Sequence, residues 1–335
     1  MREKWEVSLW SGGSRMNDEI KLVCDMTVGN YKIATKGLRY DGDYINHFSA
    51  LINGYNRECI PVDEVKEIRS IIKSKTSNMS VFRGDMLYIV SFLIALCEKE
   101  DRKVIIDDII NTFDLLVEEG FNESEYLILS AYSIVRYVKL KYRKLVTKRA
   151  RNIFNIIKYR HGNYTGEDDY LLCTLLAIDN NDIDNLDTTI NSLFESMSNL
   201  KMYSNNEIQS LTNSILLNKD RDVKENVIDL LIGLDKNNLK LSHNFPQALG
   251  IMIKKQNVDK SIHLMKQVTE YLCMAEAEYD FYIDKCFRNL IALTIVFMSE
   301  RKNRKQINYS DEILAFCTYS FILTKNQGLF NEILA

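Results

Sequence analysis

The feature that most constrains this chain is that one stretch of it occurs twice. Residues 68–134 recur eighty-two positions later as residues 150–216. The register is clearest where an apolar run follows a glycine. There Gly84, Tyr88, Leu93 and Ala95 fall on Gly166, Tyr170, Leu175 and Ala177, and upstream Arg69, Ile71 and Phe82 fall on Arg151, Ile153 and Tyr164. The offset drops to eighty where Ile110-Asn111-Thr112-Phe113 meets Ile190-Asn191-Ser192-Leu193, as a two-residue gap in a loop requires. Asn122-x-x-Glu125 and Ser204-x-x-Glu207 then both read as capping boxes, a side chain at the helix start accepting from a free amide while the glutamate reaches back. A fainter echo sets Leu239-Lys240-Leu241 over Leu200-Lys201-Met202, about one helical hairpin apart. A duplicated hairpin predicts a stack of similar units rather than a mixed fold. Amphipathic helices also resemble one another, and that is the competing explanation.

The elements between these landmarks read as helices. Period-two alternation never persists between turn signals, and two prolines and thirteen glycines in 335 residues interrupt little. Helices are expected at about 17–36, 43–55, 62–74, 85–97, 101–119, 122–139 and 143–159, then through the second copy, then near 221–235, 244–255, 257–275, 277–300 and 310–325. Pro61 opens the third, with Asp63 and Glu64 in its first turn, and Gly120 closes the fifth. The 85–97 segment is apolar nearly all round and predicts a buried central element. The class is all-α. The expected architecture is an α-solenoid-like array of about twelve to fifteen helices, one domain over 16–335 with a concave face. Its last helix, bearing Ile313, Phe316 and Phe321, would cap the array or make a dimer contact.

Residues 1–15, with Trp5, Trp10 and Ser11-Gly12-Gly13-Ser14, match nothing in this pattern. We expect a disordered or non-native leader before a start at Met16; an interfacial aromatic anchor is the rival.

Composition excludes some classes. Forty-three basic against forty-six acidic side chains argue against a protein built around polyanions. Seven cysteines without a CxxC pair fit a reduced, cytosolic chain, and no apolar stretch is long enough to span a bilayer. Abundant Asn, Ile, Lys and Tyr resemble AT-rich bacterial usage. We therefore expect a soluble, cytoplasmic protein.

Few residues carry chemistry. Arg83, entering the apolar helix in Phe82-Arg83-Gly84, is placed to hold an anion at a helix start, with Asp85, Asp107 and Asp108 as nearby polar groups; the plainer alternative has Arg83 pairing with a carboxylate to hold its loop. Eight basic residues and no acid lie between Arg136 and Arg151, and Lys141, Lys144, Lys148 and Arg151 share one helical face, which suits nucleic acid or an acidic partner unless it is simply solvated. Asp107-Asp108-Ile109-Ile110-Asn111 lacks the third carboxylate of a two-metal aspartate motif, and Asp179–Asp184 lacks the glycine and terminal glutamate of a calcium loop. His47, His161, His243 and His263 show no ligand spacing and read as surface or helix-end residues. No catalytic residue, metal or cofactor is assigned.

Ser80-Val81-Phe82-Arg83-Gly84 between an Ile/Lys-rich helix and an apolar one resembles a family of uncharacterised helical proteins of Gram-positive bacteria, known only as a domain of unknown function. The resemblance covers most of the chain from Met16 and implies no activity. Fold and composition together lead to one expectation: a non-enzymatic scaffold that binds a peptide, a protein segment or a small ligand. An enzyme with a polar pocket at Arg83 and a nucleic-acid binder using the basic stripe are the alternatives.

Overall fold

A computed structural model describes residues 16–179, 183–198, 203–218, 220, 222–299 and 308–328. These contain fifteen α-helices and no strand. The leader and most of the acidic loop after Asp179 lie outside the described residues.

The helices sort into two kinds by how they are buried. The first, third, fifth, seventh, eleventh and thirteenth, namely α1 (Asp18–Gly37), α3 (Val62–Lys75), α5 (Arg102–Glu118), α7 (Arg143–His161), α11 (Lys224–Lys236) and α13 (Val258–Ala275), bury one stripe and leave the other face in solvent. The even ones are buried nearly all round: α2 (Asp43–Asn56), α4 (Asp85–Ala95), α6 (Glu125–Tyr137), α8 (Tyr170–Ile178), α10 (Asn205–Leu216), α12 (Pro246–Met252) and α14 (Lys285–Met298). An apolar stripe suffices for a helix with one neighbouring layer, whereas all-round burial requires neighbours on both sides. Each fully buried Leu, Ile or Phe of this inner layer contributes roughly 1.5–3 kcal/mol.

The contacts follow from that division. Along the inner layer α2 packs on α4, α4 on α6, α6 on α8, α8 on α10, α10 on α12 and α12 on α14, and α14 returns to α2. In the outer layer α1 packs on α3, α3 on α5, α5 on α7, and α7 on α9 (Ile183–Met197), while α11 packs on α13 and α13 returns to α1. The ends of the succession meet, so the inner helices enclose a centre instead of lining an open concave face.

That centre holds the last helix, α15 (Ser310–Asn326), buried continuously from Ser310 to Phe321 and packed on α2, α4, α6 and α12. It is therefore a central element, not a cap or a dimer contact. It runs against the inner helices: Tyr44 and Tyr126, at the starts of α2 and α6, meet Phe321 and Tyr319, whereas Tyr55 and Arg136, at their ends, meet Asp311.

Local signals explain most boundaries. Asn17 caps α1 through Ile20 N at 2.8 Å, and Gly120 takes φ +93° just past α5, a conformation that Cβ disfavours. The helix expected at 277–300 is divided, because Glu278–Tyr282 form a π-helical turn and Asp284 then caps a new start. Gly250 lets α12 approach α10 closely: a Cβ there would lie 2.1 Å from Ser214 Oγ and 3.2 Å from Ile215 N.

Candidate functional site

Because the inner helices all run against α15, the assembly has two polar mouths. At one lie the start of α15 and the ends of the inner helices. Asp311 and Glu312 are buried there, and Arg136 of α6 reaches both, at 3.1 and 3.3 Å. Tyr55 donates to Asp311, Tyr137 donates to Glu312 Oε1 at 2.9 Å, and Arg136 also donates to the Tyr132 hydroxyl at 2.8 Å. One guanidinium faces two carboxylates. Burial raises the Glu312 carboxyl above its usual range, and the Arg136 guanidinium opposes that shift. The helix start favours both carboxylates further. Arg136, Tyr55 and Tyr137 thus answer both carboxylates of this mouth, leaving Glu312 Oε2 without a hydrogen-bond partner.

At the other mouth lie the starts of the inner helices and the end of α15. The short α12 apart, each inner helix puts an acidic residue at its start or in the turn leading into it: Asp43, Asp85, Glu125, Asp168 with Asp169, Glu207 and Asp284. Several are engaged. Glu125 accepts from Met86 N at 3.1 Å, and Lys325 pairs with Asp284 at 3.1 Å. Asp169 is fully buried and accepts from Gly166 N at 3.1 Å; burial, with the charge of Asp168 beside it, pushes its carboxyl up to about 7. Burial also raises Glu125 and Asp85.

Between α6, α10, α12 and α15 this mouth opens into a cleft of about 270 Å³. Tyr126 and Phe316 form an aromatic floor, their rings 5.6 Å apart. Asp168, Asn206, Glu207 and Ser210 make one wall; His243, Asn244 and Gln247 a second; Ser320, Leu323, Thr324 and Gln327 of α15 a third. Part of this wall is internally satisfied. Asn206 Nδ2 donates to Asp168 Oδ2 at 3.2 Å, Asn244 Nδ2 to Thr324 Oγ1 at 3.2 Å, and Gln247 Nε2 to Asn244 O at 2.7 Å. Part is not. Asn206 Oδ1 is shielded from solvent without a hydrogen-bond partner among the described residues, and Ser210, only 8 % exposed, lines the cleft.

The residues singled out from sequence are distributed elsewhere. Arg83 gives its guanidinium to the Lys73, Thr76 and Ser77 carbonyls and so closes the end of α3, holding the loop through carbonyls and not through a carboxylate. Asp107 pairs with Lys75, and Asp108 with Arg143 at 2.8 Å. Asp85 sits at the cleft-bearing mouth. Among the described residues no hydrogen bond or ion pair joins these four side chains to one another.

The basic stripe is divided too. Arg136 closes the first mouth, Arg143 is buried against Asp108, and Arg151 lies over the Phe121 and Phe154 rings at 5.3 Å from each. Lys141, Lys144 and Lys148 remain exposed.

One histidine departs from the surface or helix-end position expected of it. His47 is fully buried in α2, stacked on Tyr31 at 4.2 Å and 3.6 Å from Glu278, and burial lowers its pKa. Among the described residues no His, Cys, Asp and Glu group could hold a metal, and no helix is long and apolar enough to cross a membrane.

The cleft residues escaped notice because they come from five separate stretches between positions 126 and 327. The one local signal was the consecutive Glu167-Asp168-Asp169 before α8.

No curated protein and no solved structure matches the chain. A family model does, over residues 30–327, and the chain belongs to that family, described as "Protein of unknown function (DUF4003)".

Proposed function

We propose that this chain is a non-enzymatic binding protein whose ligand, a small polar molecule, occupies the cleft at the end of α15. The observation that carries this reading is the state of the cleft wall. Polar groups withdrawn from water are normally paired, since an unpaired one costs about 1–3 kcal/mol. Asn206 Oδ1 is unpaired beside a space of about 270 Å³, and the Ser210 hydroxyl lines the same space. A ligand supplies the missing partner.

The same reading takes the chain as a duplicated set of helical hairpins. In its favour, α3 to α6 and α7 to α10 follow one another in the same order, and α4 and α8 are each apolar helices preceded by a short 3-10 turn and a glycine, Gly84 or Gly166. The seven cysteines are unpaired, which is consistent with a reducing bacterial cytosol. A small ligand suits the cleft better than a peptide or protein segment, because the cleft holds only about 270 Å³. The exposed Lys141, Lys144 and Lys148 suit an acidic partner as a separate, peripheral contact.

The test is native mass spectrometry of protein purified gently from its own host, alongside Ser320→Trp, which fills the cleft. A small adduct on the natural chain that is missing from the variant supports the proposal. Identical bare masses, or the same adduct on both, contradict it.

A further inference from the structure

The cleft wall also limits the chemistry of its occupant, and this step rests on the reading of the cleft as a ligand site. None of the lining residues is lysine or arginine, whereas Asp168 and Glu207 both face the space. A phosphate, nucleotide or carboxylate entering there meets two carboxylates and no cation. At the start of α10 Ser204 and Glu207 form a capping box, which takes up two of the amides there: Ser204 Oγ accepts from Glu207 N, and Glu207 Oε2 accepts from Ser204 N.

The polar atoms of the wall point the same way. Asn206 Nδ2 is held by Asp168, so the amide is oriented with its oxygen outstanding, and an oxygen can only accept. Ser210 presents a hydroxyl that accepts as readily as it donates. The site has a surplus of acceptors, so its occupant needs N–H or O–H donors. The surrounding charge adds to this preference, since the mouth carries Asp43 besides the two lining carboxylates, and its Lys325 is already paired with Asp284. A mouth of one sign raises the local concentration of the opposite ion. Cleft volume, about 270 Å³, lies below the range of drug-sized pockets, and the Tyr126 and Phe316 rings give a cation an aromatic face.

We propose that the cleft binds a small organic cation carrying primary ammonium groups, of the aliphatic diamine or polyamine class, with Asp168 and Glu207 as counter-charges and Asn206 and Ser210 as acceptors. A bare metal ion does not fit, because no group of three His, Cys, Asp or Glu ligands converges among the described residues.

The experiment is isothermal titration of the full chain with putrescine and spermidine at physiological ionic strength, with sorbitol and inorganic phosphate as neutral and anionic probes. Saturable amine binding is expected, with affinity at least tenfold weaker in Asp168→Asn and lost in Ser320→Trp, and with no response to phosphate. Circular dichroism of both variants establishes that they are folded, and the isosteric Asp168→Asn carries the test should the tryptophan variant fail to fold. Absence of amine binding, or affinity unchanged by Asp168→Asn, overturns the assignment. Sorbitol binding that Ser320→Trp abolishes, without amine binding, leaves the ligand site standing and removes only the cation. Silence toward every probe, joined to bare native masses, removes both.

Discussion

The two mouths of the helical ring are built from similar residues and left in opposite states. Where α15 begins, Asp311 and Glu312 meet Arg136, Tyr55 and Tyr137, each placed by the end of an inner helix. An unpaired buried oxygen is found at both mouths, Glu312 Oε2 at this one and Asn206 Oδ1 at the other, but where α15 ends Asp168 and Glu207 meet no cation. The difference separates two uses of buried polarity. A closed network fixes how α15 is threaded, because a shift along the helix axis would strand its charges. An open one contributes little to threading and is costly as it stands, which is the condition expected of a recognition site.

Substitutions should pull these mouths apart. The largest effect belongs to Arg136→Leu, which leaves Asp311 and Glu312 without their cation. Urea unfolding should show a loss of about 3 kcal/mol, near the low end for a broken buried pair because the Arg136 side chain is 28 % exposed. A loss below about 0.5 kcal/mol would place the network among ordinary surface pairs.

Next is Gly250→Ala, which forces α12 away from Ser214 and the α10 backbone; overpacking of this kind costs roughly 1–3 kcal/mol. Since α10 and α12 both wall the cleft, the variant should also lose any co-purifying ligand. The arginine variant should keep it when folded.

A smaller effect is expected with pH. Asp169 is raised from 3.8 to about 7 in the folded chain, so the folded state binds a proton that the unfolded state has released. Its contribution is complete below about pH 4 and is lost as pH rises toward 7. Stability should therefore fall over that interval, and Asp169→Asn should flatten the slope. A natural chain and a variant with parallel pH profiles would show that the carboxyl is not held in this way.

The smallest change is Glu207→Gln. The amide keeps an oxygen to accept from Ser204 N, so the loss should stay under about 1 kcal/mol, while amine affinity drops through loss of charge.

How much of this was legible beforehand is shown by two helix starts that read alike. Asn122-x-x-Glu125 and Ser204-x-x-Glu207 carry the same signature, and only the second is a capping box. At the first, the helix begins three residues later. Glu125 crosses to Met86 N on α4, and Asn122 turns to the next unit, its N–H donating to the Tyr170 hydroxyl at 3.3 Å and Nδ2 to Glu167 at 3.2 Å. A pattern three residues long states what a side chain is able to reach, but the neighbouring helix decides where it goes. For the same reason the all-α class and most helix positions were readable from periodicity, and the burial of α4 from its apolar surface. Closure was not: α1 on α13 and α2 on α14 join parts of the chain more than two hundred residues apart. The cleft shares that limitation, since its walls come from α10, α12 and α15, and no single segment announces it.

The open mouth is the centre of the account, and a crystal structure of gently purified protein tests it most directly. The account predicts density for a small molecule in the cleft, with a donor atom within hydrogen-bonding distance of Asn206 Oδ1 and of Ser210 Oγ. A cleft closed by its own side chains, with Asn206 and Ser210 paired to protein atoms, would contradict it.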